Sequence, residues 1–302
     1  MASNTLRGVI AAIATPVDGA GAPDPERFLK LARFLLENGC DGLNVLGTTG
    51  EATSFTVEQR LGLMSAIAKA GLPLDRLMVG TGAAAVGDAT RITRHAAELG
   101  FAGALVLPPF YYKGISADGV LRYFEALVRG SVTPAIPIYL YHFPALSGVP
   151  YDLELVRRLV ETFGERIVGL KDSSGDLPYA RAATEVKAGF RVFPSNEATL
   201  LDARKGVFAG CISATANLNA DLCGRAFHGG DEAALDTAVS IRRLFDGLPL
   251  VAGVKSLLAH IHGDARFAEV MPPLAPFPAD AARAIIAKYE SFRREVEALQ
   301  PA

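Results

Sequence analysis

A chain of 302 residues, 50% hydrophobic and 21% charged, has the length and composition of a well-packed globular protein. Its formal net charge of −2 offers no electrostatic case for nucleic acid or an anionic membrane as a partner. Three cysteines, Cys40, Cys211 and Cys223, share no metal-ligand spacing, and their odd number argues against a disulfide framework, so reduced thiols in a cytoplasmic protein are expected.

The first apolar run, Val9 to Ala14, is too short for a transmembrane helix and closes at Pro16 and Asp18-Gly19, as a strand entering a loop does. Further β-rich runs follow, and strands are predicted at 8–15, 41–47, 76–82, 103–108, 137–143, 167–171, 190–194 and 210–214. Between them lie amphipathic stretches such as PERFLKLARFLLENG, VEQRLGLMSAIAKAG and DATRITRHAAELG, each closing near a glycine able to cap a helix. Eight strands alternating with helices, spaced by about 25–35 residues, form the pattern of a (β/α)8 TIM barrel. The competing doubly wound sheet usually carries a Gly-rich phosphate turn after its first strand, where this chain has Ala14-Thr15-Pro16-Val17. Beyond residue 217 the strand signals stop. Helical patterns cover 219–229, 231–246, 252–262 and 279–298, with a Pro-rich break, MPPLAPFP, at 271–278. The expected organisation is a catalytic barrel over 1–217 and a C-terminal helical extension over 218–302, packed on the barrel and not itself catalytic.

In such a barrel the reacting groups sit at the C-terminal ends of the strands. After the second strand, Gly47-Thr48-Thr49-Gly50-Glu51 supplies two hydroxyls and a run of backbone N–H groups, a combination able to hold a small carboxylate. Alone it reads as a turn with a helix cap, and Glu51 as a structural hydrogen-bonding partner. Tyr141 ends the fifth strand; a phenol both donates and accepts, which suits a proton shuttle, although a tyrosine there can simply pack. Lys171 is the sharpest feature. A lysine attacks a carbonyl only when neutral, and apolar surroundings favour that form. The product is an imine whose nitrogen serves as an electron sink. The apolar run Ile167-Val168-Gly169-Leu170 and the neighbouring tyrosine favour this reading over a strand-end lysine that merely reaches solvent. No Walker loop, His-Glu-x-x-His or nucleophile elbow competes, no metal site is expected, and His260 and His262 are expected on the surface of the tail.

Together and in this order, these motifs resemble the class I pyruvate-dependent aldolase family of N-acetylneuraminate lyase and dihydrodipicolinate synthase. The resemblance runs from Gly8-Val9 and Thr15-Pro16 through Gly-Thr-Thr-Gly-Glu, Pro-Phe-Tyr-Tyr, Tyr-x-x-Pro and Gly-x-Lys-Asp-Ser-Ser-Gly-Asp to Gly210–Asn217. It implies a homotetramer built from tight dimers. By position it implies that Lys171 is the Schiff-base lysine, so that the covalent imine replaces any cofactor. Tyr141 matches the proton-relaying tyrosine, and Thr48 and Thr49 the pair that bind the pyruvate carboxylate and orient the relay. Tyr111 matches the tyrosine offered across the tight-dimer interface, and Ile212 the residue whose backbone lines the pyruvate pocket.

The second substrate is less determined. Where the synthases place an arginine for the aldehyde's carboxylate this chain has Leu146, which cannot form a bidentate carboxylate pair. The stretch Pro-Ala-Leu-Ser-Gly-Val looks like the sialic-acid-lyase branch instead. That branch follows the seventh strand with acidic residues, of which only Glu197 is present here. Ala214 stands about where a sialic-acid-binding serine would be, and His142 replaces the usual asparagine. The resemblance implies a 2-keto-3-deoxy sugar acid aldolase working with pyruvate and an aldehyde, with Glu197 and Ser173 on substrate hydroxyls. The synthase reaction, a dehydratase or deaminase using the same imine, and a non-catalytic 2-oxo-acid sensor are the alternatives.

Overall fold

The structure, a computed structural model, describes residues 6–298. Among them the strands are β1 (Gly8–Ala12), β2 (Gly42–Val45), β3 (Leu77–Gly80), β4 (Gly103–Val106), β5 (Ile138–His142), β6 (Ile167–Asp172), β7 (Arg191–Pro194) and β8 (Gly210–Ser213). All pair in parallel in the order β7-β6-β5-β4-β3-β2-β1-β8. Ala209, just before β8, donates its N–H to Val192 O of β7 at 3.0 Å and draws the two edges together, so the predicted barrel forms. The strands are buried on both faces, one against the helices outside and one in the barrel interior, which is why they read as near-continuous apolar runs instead of alternating ones. Inside, Ile10, Met78, Leu105, Tyr139, Phe193 and Ile212 fill the barrel.

All eight predicted strands are present, most of them a residue or more shorter at one or both ends. The largest difference is at β1, which stops at Ala12 and not at residue 15. Asn217 takes over there: its Oδ1 accepts the Ala14 N–H and its Nδ2 donates to Ala12 O, so those groups leave the strand ladder.

The helices are α1 (Pro25–Glu37), α2 (Val57–Lys69), α3 (Val86–Leu99), α4 (Ala117–Gly130), α5 (Pro144–Ser147), α6 (Leu153–Phe163), α7 (Leu177–Thr184), α8 (Leu200–Arg204), α9 (Ala216–Gly224), α10 (Glu232–Arg243), α11 (Leu250–His262) and α12 (Ala279–Ala298). Local chemistry starts several of them. Asp24 caps α1 ahead of Pro25, Thr56 and Gln59 form a capping box on α2, and Asp152 and Asp231 cap α6 and α10. The helices after β8 share one buried apolar cluster with the barrel, reaching from Val9 and Leu43 to Val254, Leu257 and Ile285. Polar contacts add to the join: Asn219 Nδ2 donates to Ala238 O, and the Tyr289 hydroxyl to Leu218 O. The three cysteines are buried and free, and burial pushes their thiol pKa values up. Among the described residues no helix is long and apolar enough to cross a membrane.

Candidate active site

The register between β5 and β6 sets Tyr141 beside Lys171, with Phe193 of β7 opposite the lysine on its other side. Both Tyr141 and Lys171 are 3% exposed. Two residues earlier, Gly169 lets the strand pass close to its neighbours. A Cβ there would lie 2.3 Å from Arg191 O and 2.8 Å from the Tyr139 ring. Lys171 Nζ donates to the Tyr141 hydroxyl at 3.3 Å and lies 4.4 Å from the centre of the same ring. The hydroxyl is in turn 3.1 Å from Thr48 Oγ1. An amine, a phenol and an alcohol from three strand ends thus form one hydrogen-bonded line.

Thr48 and Thr49 sit in a turn bracketed by two non-glycine residues in the left-handed region, Leu46 (φ +52°) and Glu51 (φ +54°). Each such residue costs about 1–2 kcal/mol, so the surroundings must hold the turn. Glu51, expected to be structural, does so. Its buried carboxylate pairs with Lys255 Nζ of α11 at 2.5 Å and accepts the Met271 N–H at 2.7 Å, while Lys255 also donates to Thr15 O at 2.9 Å. Burial lowers the Lys255 pKa, and the Glu51 carboxylate pulls it part of the way back.

These groups open on a cavity of about 440 Å³. From the barrel it is lined by Thr48, Thr49, Tyr141, Lys171, Ser173, Ile212 and Leu146, all predicted site residues, and also by Ser195 and Ala214. From the C-terminal helices come Arg242, the start of α11 at Pro249–Ala252, and Leu274 to Pro276 with Pro278 from the Pro-rich break. A second cavity of about 270 Å³ shares Thr48, Tyr141 and Leu146 and extends towards Phe110 and the buried Arg60. Arg60 donates to Gly80 O and Gly82 O, and burial pulls its pKa down to about 10.

Two predicted residues lie elsewhere. Tyr111 is 73% exposed and stacks edge-on against Tyr112, outside both cavities. Glu197, expected on substrate hydroxyls, is fully buried and does not line the cavity. A carboxylate so placed must find donors within the protein. Its Oε1 accepts from Ser213 Oγ and Thr215 Oγ1, and its Oε2 pairs with Arg242 Nη1 at 3.2 Å. Arg242 itself was not predicted. It lies in the last turn of α10 beside Arg243, where two arginines read as the usual complement to a helix C-terminus; only the tertiary fold shows that one of them reaches the cavity.

The histidines divide. His142 is buried, accepts the Tyr151 N–H at its Nδ1, stacks on Tyr179, and is pushed down to about 4 by burial. His260 is exposed as expected and pairs with Glu290. His262 is not a surface residue; it is half-buried between Phe34 and Phe267, and burial lowers its pKa. Among the described residues no three or more His, Cys, Asp or Glu side chains are grouped so that they could hold a metal ion.

A parallel barrel that brings a buried amine, a phenol and paired threonine hydroxyls to its strand ends has the architecture of a class I pyruvate-dependent lyase. Sequence comparison agrees: residues 5–289 match the Dihydrodipicolinate synthetase family, and the chain belongs to that family of lyases. It is 33% identical over 290 residues to an uncharacterized DapA-like lyase of Chloroflexus aurantiacus, covering 94% of this chain and 96% of the relative. Dihydrodipicolinate synthase from Agrobacterium tumefaciens superposes with a TM-score of 0.85 at 28% identity, over 94% of this chain and 99% of that one. The Proteus mirabilis N-acetylneuraminate lyase shares the fold, with a TM-score of 0.82 at 24% identity over 95% and 99% of the two chains.

Proposed function

We propose that the chain is a Schiff-base-forming lyase that cleaves or forms a 2-oxo acid with pyruvate as the three-carbon unit, acting as a 2-keto-3-deoxy sugar acid aldolase. The line from Lys171 Nζ through the Tyr141 hydroxyl to Thr48 Oγ1, opening on one cavity, carries this reading. The amine of Lys171 adds to the C2 ketone of the substrate, and Tyr141 delivers the proton with which the carbinolamine oxygen leaves as water. The result is a protonated imine, so no separate cofactor is required. Cleavage breaks the C3–C4 bond; its electron pair moves into the C2–C3 bond as the iminium nitrogen is neutralised. The C4 hydroxyl gives its proton to Tyr141 and departs as the aldehyde. Protonation of the enamine at C3 and hydrolysis of the imine release pyruvate and restore the amine. Thr48, Thr49 and their turn amides hold the C1 carboxylate, beside the Ile212 backbone, and Ser173 is placed for a substrate hydroxyl. The uncharged Leu146, 61% exposed, favours this reading over the synthase reaction. Tyr111, exposed in the loop after β4, is assigned to the relay of a neighbouring protomer within a cytoplasmic homotetramer of tight dimers.

Treating the protein with pyruvate and borohydride should leave a reduced pyruvyl group on Lys171, read by peptide mass spectrometry; an unmodified Lys171 in folded protein would overturn the imine. Screening 2-keto-3-deoxy acids for released pyruvate then separates an aldolase from a dehydratase or deaminase, which consume substrate without releasing it.

A further inference from the structure

The cavity holds a cation that the imine chemistry leaves unused. Lys171 and Arg242 are its charged lining residues, and no aspartate or glutamate lines it among the described residues. Lys171 is consumed in the imine. Arg242 therefore meets whatever the rest of the substrate presents.

Its guanidinium is fixed in place. Nη1 donates to the fully buried Glu197 at 3.2 Å and lies 3.4 Å from Ser213 Oγ, while Ser213 and Thr215 occupy the other Glu197 oxygen. The Nε–Nη2 edge has no hydrogen-bond partner among the described residues. That edge presents two parallel N–H groups, the geometry that takes a carboxylate bidentately. The first turn of α11, Leu250–Ala252, lines the same cavity and no side chain caps it, so its leading N–H groups add partial positive charge. Leu146 stands where the synthases place an arginine, yet the pocket has a cation on a different element.

We propose that the aldehyde half of the substrate carries a carboxylate and that Arg242, positioned by Glu197, binds it. The enzyme then acts on a 2-oxo acid that ends in a second carboxylate, its first on Thr48 and Thr49 and its second on Arg242. This rests on the imine reading above and narrows its substrate class. A cavity of about 440 Å³ has room for such a diacid.

Three aldehydes matched in carbon number test it in condensation with pyruvate: glyceraldehyde, tartronate semialdehyde and glyceraldehyde 3-phosphate, followed by pyruvate consumption. The wild-type chain should prefer tartronate semialdehyde to glyceraldehyde in kcat/KM by roughly tenfold to a hundredfold, the range of a charged hydrogen-bonded contact. Arg242→Gln should abolish that ratio, Arg242→Lys should restore part of it, and Glu197→Gln should lower it while the guanidinium remains. Ratios between acceptors are unaffected by a variant that is only partly folded. A wild-type protein that traps pyruvate on Lys171 but shows no acid preference, or a preference untouched in Arg242→Gln, overturns this proposal alone. A preference for the phosphate ester overturns the carboxylate assignment. Failure to trap pyruvate overturns the imine reading along with it.

Discussion

Tyr141 is where the hydrogen bonds of Lys171 and Thr48 meet, so the proton traffic of the proposed reaction converges on one oxygen. Tyr141→Phe keeps the ring beneath Lys171 Nζ and removes only that oxygen. Loss of a positioned acid–base group costs typically 10²–10⁴-fold in rate, so kcat for pyruvate release should fall by about that much while the fold, followed by thermal unfolding, is retained. A fall of less than about tenfold would show that another group carries the proton. His142, next in sequence, stacks on Tyr179 and bears on stability. Its pKa is about 4 in the fold against an ordinary 6.5, so between these values the unfolded chain binds the extra proton. Stability is therefore fully present above pH 6.5, is lost as the pH falls, and has lost this contribution by pH 4. Allowing for partial solvent screening, the loss is about 2 kcal/mol. His142→Asn keeps an acceptor for the Tyr151 N–H without a titrating ring; urea unfolding of this variant should show a correspondingly weaker decline between pH 6.5 and 4.

The strand that delivers Lys171 depends on one small residue. At Gly169, an added methyl group would meet the backbone of Arg191 and the ring of Tyr139, both inside a closed barrel with little room to yield. Gly169→Ala should destabilise the protein by about 2–3 kcal/mol, as overpacking does. It should also lower kcat, because the displaced segment carries Lys171 two residues on. Denaturant unfolding and pyruvate release check the two effects separately; an unchanged midpoint would mean that Tyr139 repacks freely. Elements of this kind were legible beforehand. Strands buried on both faces leave unbroken apolar runs, and caps and glycines leave local marks, so all eight strands and the Lys171 motif could be placed from residue order. Their ends were less legible, because β1 stops where Asn217, some 200 residues later, captures its backbone groups. The inward pairing of Glu197 was hidden for the same reason: an acidic residue after a strand looks the same whether it faces outward or turns in to Arg242.

At the scale of the whole molecule, the C-terminal helices pack on the barrel and also line the candidate site. They supply Arg242 and one side of the cavity, and through Lys255 they hold the Thr48–Thr49 turn. An amphipathic helix pattern shows that a face will be buried but not which barrel loop it meets, so none of this could be read from the extension's sequence. The Glu51–Lys255 pair, with side chains 0% and 1% exposed, is the contact that tests the coupling. Removing one partner of a buried pair strands the other charge and costs about 3–5 kcal/mol, whereas replacing both by apolar groups often costs little. Lys255→Met should therefore lower the melting temperature substantially and raise KM for pyruvate, because Glu51 holds a left-handed backbone two residues beyond Thr49. Glu51→Leu should be similarly destabilising. The double variant should recover much of the stability but not all of it, since the Met271 N–H and Thr15 carbonyl lose their partners. It should recover less of the pyruvate KM, because two apolar side chains can fill the space without fixing the turn. Calorimetry and pyruvate kinetics on the four proteins close the cycle; additive losses in the double variant would show that the pair acts as two independent residues and does not join the extension to the Thr48–Thr49 turn.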